Sequence, residues 1–279
     1  MKRVLFFLTV IISLSLAAQD ISVMSFNIRY DNSGDGENAW PNRRERASDA
    51  INFYAPDIIG TQEVLHHQLV DILDGCPHYD SIGVGRQDGN TQGEYSAILY
   101  NKKRFEIVDC GWFWLSETPE IAGAKGWDAA CERIATWAIL RNKESKIEVF
   151  ALNTHFDHIG QVARAESARL ILNRIAEMAK GMPVVVTGDF NADPADKVIE
   201  HLTTGTPIAL FDCRNMARVV YGPDWTFHNF GRLSMAERKR IDYVFVTENI
   251  EVERYGVLAE TNDGYLSDHN PVLVYLSIK

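Results

Sequence analysis

Apolar, β-branched runs bounded by turn-forming residues recur along the whole chain, at 21–28, 57–64, 79–84, 95–100, 105–115, 134–140, 147–153, 183–187, 241–246, 252–258 and 271–278. Runs of this length and composition predict β-strands. Between them, 43–53, 65–73 and 161–178 carry helical spacing. It is clearest in the third, where Ala165, Ala168, Leu170, Ile171, Leu172, Ile175 and Ala176 form an apolar face. Strands therefore outnumber helices, and several are apolar almost throughout, as happens when both faces of a sheet are covered. Two sheets packed face to face with helices outside satisfy that pattern. No low-complexity stretch, Pro/Gly linker or short repeat divides the chain, which predicts one compact domain over 19–279.

The first residues follow a different pattern. Lys2 and Arg3 precede an apolar run from Val4 to Ile12, broken only by Thr9, which continues through Leu14 and Leu16 to Ala17-Ala18. A basic end, an apolar core and small residues before polar Gln19-Asp20 predict a cleavable secretory signal over 1–18. The run is too short to span a bilayer comfortably, and no Cys follows it to carry a lipid. The expectation is an exported protein, periplasmic or secreted, monomeric and without a stable membrane anchor.

Charge narrows the partners. The chain carries a formal charge of −10, and losing residues 1–18 removes two cations and no anions, giving −12. Such a chain lacks the basic stripe of a dedicated polynucleotide binder. Phosphoester chemistry is still open to it, because a bound cation can supply positive charge locally. Cys76, Cys110, Cys131 and Cys213 are scattered without a C-x-x-C motif. Three pairings would be possible in an oxidising compartment, but a core of this size does not need them, and buried free thiols are the simpler expectation.

The candidate chemistry is grouped at strand ends. SFNIRYD (25–31), GTQEV (60–64), NTHFDH (153–158), GDFNA (188–192), RIDYVFV (240–246) and SDHNPV (267–272) each contain or follow an apolar strand and present Asn, Asp, Glu or His where it stops. A lone Asp or Asn there is usually a turn former. A whole series of acceptors and histidines is not explained by turns alone. Strand-end loops are also where sheet scaffolds place active sites.

This series, above all GDFNA followed by IDYVF and SDHNPV, resembles the endonuclease/exonuclease/phosphatase superfamily, the fold of pancreatic deoxyribonuclease, from about Ile21 to the C-terminus. The resemblance implies an α/β (α+β) fold, a four-layer αββα sandwich of two mixed β-sheets packed face to face with helices outside. It implies a Mg²⁺-dependent phosphoester hydrolase, with Mn²⁺ or Ca²⁺ as possible substitutes, acting by in-line attack of an activated water. Glu63 and Asp268 would bind the cation, and Asn27 would bind it or hold its water. A hard cation of this kind prefers oxygen ligands and needs only one or two carboxylates. Asp242 and His269 would form a pair whose carboxylate favours the charged imidazole, and His155 would be the second histidine, with Glu94 as its carboxylate. Asp189 would activate the water. Asn191 would bind non-bridging phosphate oxygens as charge builds, with His155 and Arg133 as further phosphate contacts.

Departures from the family pattern bear on the substrate. Arg29 stands where the DNA-repair members carry an acid, and the inositol-polyphosphate phosphatase segment is absent. Arg43-Arg44 and Arg238-Lys239-Arg240 are the densest basic groups, and each reads as a solvated face. Of Trp40, Trp112, Trp114, Trp225, Phe227 and Phe230, the run Trp225-Thr226-Phe227 is the best substrate contact, because it lies in a turn-rich stretch. The substrate stays open among nucleic acid, lipid head group and phosphorylated glycan, with a phosphodiesterase or nuclease placed ahead of a phosphomonoesterase or sphingomyelinase-like enzyme. Two rivals stand outside this class. One is a non-catalytic phospholigand-binding module, which should have lost acids or histidines. The other is a dinuclear zinc hydrolase, whose H-x-H-x-D-H motif is matched only by its tail, His155 to His158 after Asn153.

Overall fold

The computed structural model describes residues 19–259 and 264–278, so the expected leader at 1–18 lies outside the described residues. In chain order the elements are β1 (Gln19–Asn27), a 3-10 turn (Ser33–Asn38), α1 (Trp40–Tyr54), β2 (Ile58–Gln62), α2 (His66–Gly75), β3 (Tyr79–Ile82), β4 (Ile98–Asn101), β5 (Phe105–Trp114), β6 (Ile134–Asn142) and β7 (Glu148–His155). They continue with α3 (Gln161–Ala179), β8 (Val184–Asp189), α4 (Lys197–Thr204), β9 (Phe211–Asp212), α5 (Cys213–Met216), β10 (Val219–Tyr221), β11 (Asp242–Val246), β12 (Ile250–Val257) and β13 (Val272–Ile278). Every strand and helix expected from the apolar pattern is present. The additions, α4, α5, β9 and β10, are short, and the two new strands span only two and three residues, too few for a repeat to register.

The strands form two mixed sheets. One has seven strands in the order β10-β12-β13-β1-β2-β4-β3, the other six in the order β5-β6-β7-β8-β11-β9. β1 runs parallel to β2 but antiparallel to β13, and β7 runs parallel to β8 while β8 and β11 are antiparallel. Three apolar clusters fill the spaces between layers. Val23, Val274, Ala151, Val185 and Val244 meet between the sheets. Leu152, Val186 and Phe245 pack outward against Ile171, Ile175 and Leu202 of α3 and α4. Met24, Phe26, Ile59 and Leu99 pack against Ile51 and Ile72 of α1 and α2. Neighbours such as Val23 and Met24 point to opposite faces, and both faces are buried, which is why these strands read as apolar throughout. This is the four-layer αββα sandwich.

Burial corrects three details of the sequence reading. The inward face of α3 takes in Ala163, Arg164, Ser167 and Ala168 as well as Ile171, Leu172 and Ile175, whereas Ala165 and Ala176 are only half-buried. Arg164 belongs there because its Nη1 donates to the Asp157 carbonyl (2.9 Å). Arg43 is fully buried rather than solvated: Nε donates to the Asn38 carbonyl, Nη1 to those of Ile28 and Leu266, and Nη2 to that of Arg29. Arg240 is likewise buried, donating to Asp212 at 2.7 Å. All four cysteines are free; Cys76 and Cys213 are buried, Cys131 is half-buried and Cys110 is exposed, so the expectation of burial holds for two.

The space between the sheets becomes polar toward the ends of β1, β2, β7 and β8. Gln62 donates to Asn153 (2.7 Å), Asn153 donates to the carbonyls of Thr61 and Ala97, Thr187 donates to Asn153, and the Gly188 N–H donates to Ser25. Buried groups bonded to one another in this way rigidify what they support. The sheets approach so closely that a Cβ on Gly60 would lie 1.9 Å from the Thr187 hydroxyl. The chemistry sits directly above this network.

Candidate active site

Three strands leave the network through a residue in the left-handed region: Arg29 (φ 60) after β1, Glu63 (φ 61) after β2 and Asn191 (φ 47) after β8. Non-glycine residues avoid this conformation unless the surroundings hold it, and such strain collects at functional sites. Here it turns Glu63 and Asn191 over the strand ends. Asp189 and Asn191 do point to the same place, as expected, but through this turn and not through strand alternation. The Asn191 N–H caps Asp189 (2.9 Å).

A pocket of about 490 Å³ opens here and is lined by Glu63, Glu94, Arg133, His155, Asp189, Asn191, Asp268 and His269 from the expected set. Asp189 is its centre. Its Oδ1 accepts from Asn191, its Oδ2 accepts from Asn27 Nδ2 (3.0 Å), and that same oxygen lies 3.5 Å from His155 Nε2 and 3.8 Å from His269 Nε2. Burial, reinforced by the charge of Asp242, lifts the Asp189 carboxyl to about 7 against the opposing pull of His269.

The two histidines differ sharply. His269 Nδ1 is 2.8 Å from Asp242 Oδ2. Burial alone would discharge the ring, but Asp242 outweighs it and raises the imidazole to about 10. Thr226 fixes this pair by accepting the N–H groups of Ile241 and Asp242 (3.1 and 3.2 Å), and the Phe227 ring lies against His269 at 4.8 Å. His155, by contrast, is pushed far below its ordinary value by burial and by Arg133 and Arg86, so its ring is neutral. Asn191 Nδ2 donates both to the Phe156 carbonyl and to His155 Nε2 (each 3.0 Å). His155 therefore carries its proton on Nδ1, and that atom is buried without a hydrogen-bond partner.

The Glu94–His155 pair expected from the family pattern does not form. Both Glu94 oxygens accept from Arg86, at 2.7 and 2.8 Å. Arg133 is neither on the surface nor in a simple ion pair. It is buried, with Nε 3.5 Å from Asp157 and Nη2 donating to His158 (3.1 Å), while Nη1 has no partner. Asn27 turns its nitrogen, not its oxygen, toward the acids, donating to Glu63 (3.1 Å) and Asp189; its oxygen accepts from the Arg29 N–H. In this arrangement it positions the two carboxylates.

Tyr30, Arg86 and Asn229, which the sequence reading passed over, also line the pocket, as do Arg29 and His158, which it noted only as a family departure and as part of a zinc motif. Arg29 reaches Asp35 (3.0 Å) and lies 3.8 Å from both Glu63 and Asp268.

The acids suit a hard divalent cation. Burial raises the Asp268 carboxyl, and Glu63 adds to the rise. Oxygens from Glu63 and Asp189 also lie, with a His155 nitrogen, within 4.8 Å of one another. A concentration of buried carboxylates whose charges oppose each other is relieved by a divalent cation.

A family model, the endonuclease/exonuclease/phosphatase family, matches residues 24–269, and the chain belongs to that family. The structure of an endonuclease/exonuclease/phosphatase from Bacteroides vulgatus superposes with a TM-score of 0.92 at 44% identity, covering 94% of this chain and all of that one. A mannosyl-6-phosphatase from Bacteroides thetaiotaomicron superposes with a TM-score of 0.86 at 38% identity, covering 92% of this chain and 99% of the other. Nocturnin of Drosophila melanogaster is 25% identical over 168 residues, 57% of this chain but only 25% of that longer protein.

Proposed function

We propose that this protein is a divalent-metal-dependent hydrolase of phosphomonoesters borne by sugars. One observation carries the reaction type: Asp189, lifted to about 7, stands between a protonated His269 and a neutral His155 in one pocket. A carboxylate near neutrality can accept the proton of an attacking water, which is the demand on a general base. The water oxygen bonds to phosphorus, its proton passes to Asp189, and the bond from phosphorus to the sugar oxygen breaks, with the electron pair leaving on the sugar oxygen, which takes a proton from water. His269, cationic and held by Asp242, would bind a non-bridging oxygen, and Arg133, which lines the pocket, would lend its charge to another. Mg²⁺ held by Glu63 and Asp268 would neutralise a phosphate oxygen and the leaving group.

Two points favour a sugar monoester over the diester placed first on sequence grounds. A polynucleotide is held by cations along its backbone, yet the arginines of this pocket each face a carboxylate: Arg29 Asp35, Arg86 Glu94, Arg133 Asp157. The mannosyl-6-phosphatase relative aligns over nearly the whole chain. The leader at 1–18 would send the enzyme out of the cytoplasm to such a substrate.

The test is an assay of purified protein on mannose 6-phosphate, p-nitrophenyl phosphate and bis-p-nitrophenyl phosphate, with Mg²⁺, Mn²⁺, Zn²⁺ or EDTA. Turnover of the two monoesters that needs Mg²⁺ or Mn²⁺ and disappears in Glu63→Ala is expected. Preference for the diester would overturn the substrate assignment, and Zn²⁺-selective turnover surviving Glu63→Ala would overturn the metal assignment.

A further inference from the structure

We propose that the Arg86–Glu94 pair is a specificity subsite that hydrogen-bonds the ring hydroxyls of the sugar; this deepens the sugar-phosphatase reading and rests on it. The pair belongs to the pocket but makes no direct contact in the reaction described above, where Arg86 acts only through the charge state of His155. Its side chains keep 12% and 19% of their surface exposed, enough for a ligand to reach them.

The segment 83–95 is built to hold the two side chains face to face. The Arg86 N–H donates to the Glu94 carbonyl (3.1 Å), the Gln87 N–H to that of Gln92, and the Gly85 N–H to that of Asn90. Asp88 accepts the N–H groups of Asn90 and Gln92 at the tip. Gly93 adopts φ +83, and a Cβ on Gly85 would fall 2.2 Å from the Gln92 carbonyl oxygen, so neither position tolerates a side chain without a shift. Trp114 Nε1 donates to the Arg86 carbonyl (2.7 Å) and anchors the segment to β5. The bidentate bond then fixes both side chains, as planar guanidinium–carboxylate pairs do.

What such a pair can recognise follows from its charge. Arg86 and Glu94 cancel, so together they add little attraction for a second phosphate. They do present donors and acceptors side by side. A hydroxyl both donates one hydrogen bond and accepts others, and a carboxylate beside a guanidinium meets both needs. The bidentate bond uses one N–H of Arg86 Nη1 and one of Nη2, so the second N–H on each gives the guanidinium donor capacity beyond the pair. Charge-neutral, rigid and beside His155 and Glu63, the pair suits the polyhydroxylated part of a substrate whose phosphate lies over Asp189.

The experiment compares kcat/KM for mannose 6-phosphate with that for p-nitrophenyl phosphate, which has no sugar hydroxyls, in wild type, Arg86→Met, Arg86→Lys and Glu94→Gln. Thermal melting serves as a check that each variant folds. The preference for the sugar phosphate should fall at least tenfold in Arg86→Met and in Glu94→Gln, mainly through KM, and Arg86→Lys should keep part of it. Equal losses on both substrates, or no loss on either, would overturn the assignment while leaving the phosphatase reading intact. A wild type inactive on both monoesters would overturn the phosphatase reading itself, and this subsite with it.

Discussion

The two active-site histidines occupy one pocket, face the same carboxylate and are almost equally buried, yet they hold opposite charge states. His269 has Asp242 at 2.8 Å and stays protonated, its imidazole raised to about 10. His155 has no carboxylate on Nδ1, because Arg86 occupies both oxygens of Glu94, and burial leaves it neutral. Burial alone discharges an imidazole, and only a carboxylate in contact reverses that. The site thereby obtains a fixed cation on one side of Asp189 and a neutral hydrogen-bonding ring on the other.

The strongest test of this arrangement removes what both rings share. Asp189→Asn keeps the shape and loses the base, so kcat should drop by about 10³-fold, within the range for general-base removal, with the melting temperature unchanged or raised. A rise follows where removing the charge relieves the burial and the repulsion from Asp242 that disfavour it. A drop below tenfold would assign the base elsewhere.

Asp242→Asn should act next, lowering kcat by roughly 10²-fold at neutral pH by analogy with other acid–base losses. Its more telling effect is on the pH profile. In wild type the charged form of His269 persists as pH rises and is lost only through about 10. Without Asp242, burial is opposed only by Asp268 and Asp189, so the ring loses its proton at lower pH than in wild type. The alkaline limb of the kcat/KM profile should therefore move to lower pH. An unmoved limb would show that His269 is not the cation required.

His155→Asn sharpens the contrast from the other side. A neutral ring carries no charge to lose, so this variant should lower kcat by about tenfold, less than the roughly 10²-fold or more of an acid–base loss, without displacing the alkaline limb. If the limb shifts as it does in Asp242→Asn, His155 is not neutral and the distinction between the rings fails.

These differences explain what could be read from the sequence. Asp189, Asn191, Asp242, Asp268 and His269 stand immediately at the ends of strands that the apolar pattern marks, so their place in the fold follows from their place in the chain. The Asp242–His269 pair was legible for the same reason. Arg86 was not. It sits in a loop with no periodicity, and its claim on Glu94 depends on a turn that only the glycines at 83, 85, 89 and 93 hint at. The left-handed backbone at Glu63 was hidden too, because Glu does not advertise it, whereas Asn191 is of a residue type that adopts it readily. Arg43 was misread because one of its acceptors, the Leu266 carbonyl, is 223 residues away.

The wall that holds Arg133 makes the smallest difference to turnover and a distinct one to stability. Asp157 is buried, which alone would raise its carboxyl, but the N–H groups of Gly160, Ile159 and Ala130, with Arg133, outweigh that and hold it well below the usual 3.8. The unfolded chain therefore takes up a proton before the folded one does. The stability contributed by Asp157 is fully present above its ordinary value and is lost as pH falls below it. Asp157→Asn sets an amide NH₂ where a carboxylate accepted donors, costing about 2 kcal/mol from charged hydrogen bonds. That corresponds to a fall in melting temperature of about 4–8 °C for a chain of this size. Calorimetry at pH 7 should show that gap, and at pH 3 it should narrow, because the wild-type carboxylate is by then losing its advantage. A gap of equal size at both values would mean that the 157–160 turn depends on its shape and not on the charge of Asp157. Turnover should fall only a few fold in either case, since Arg133 keeps its bond to His158.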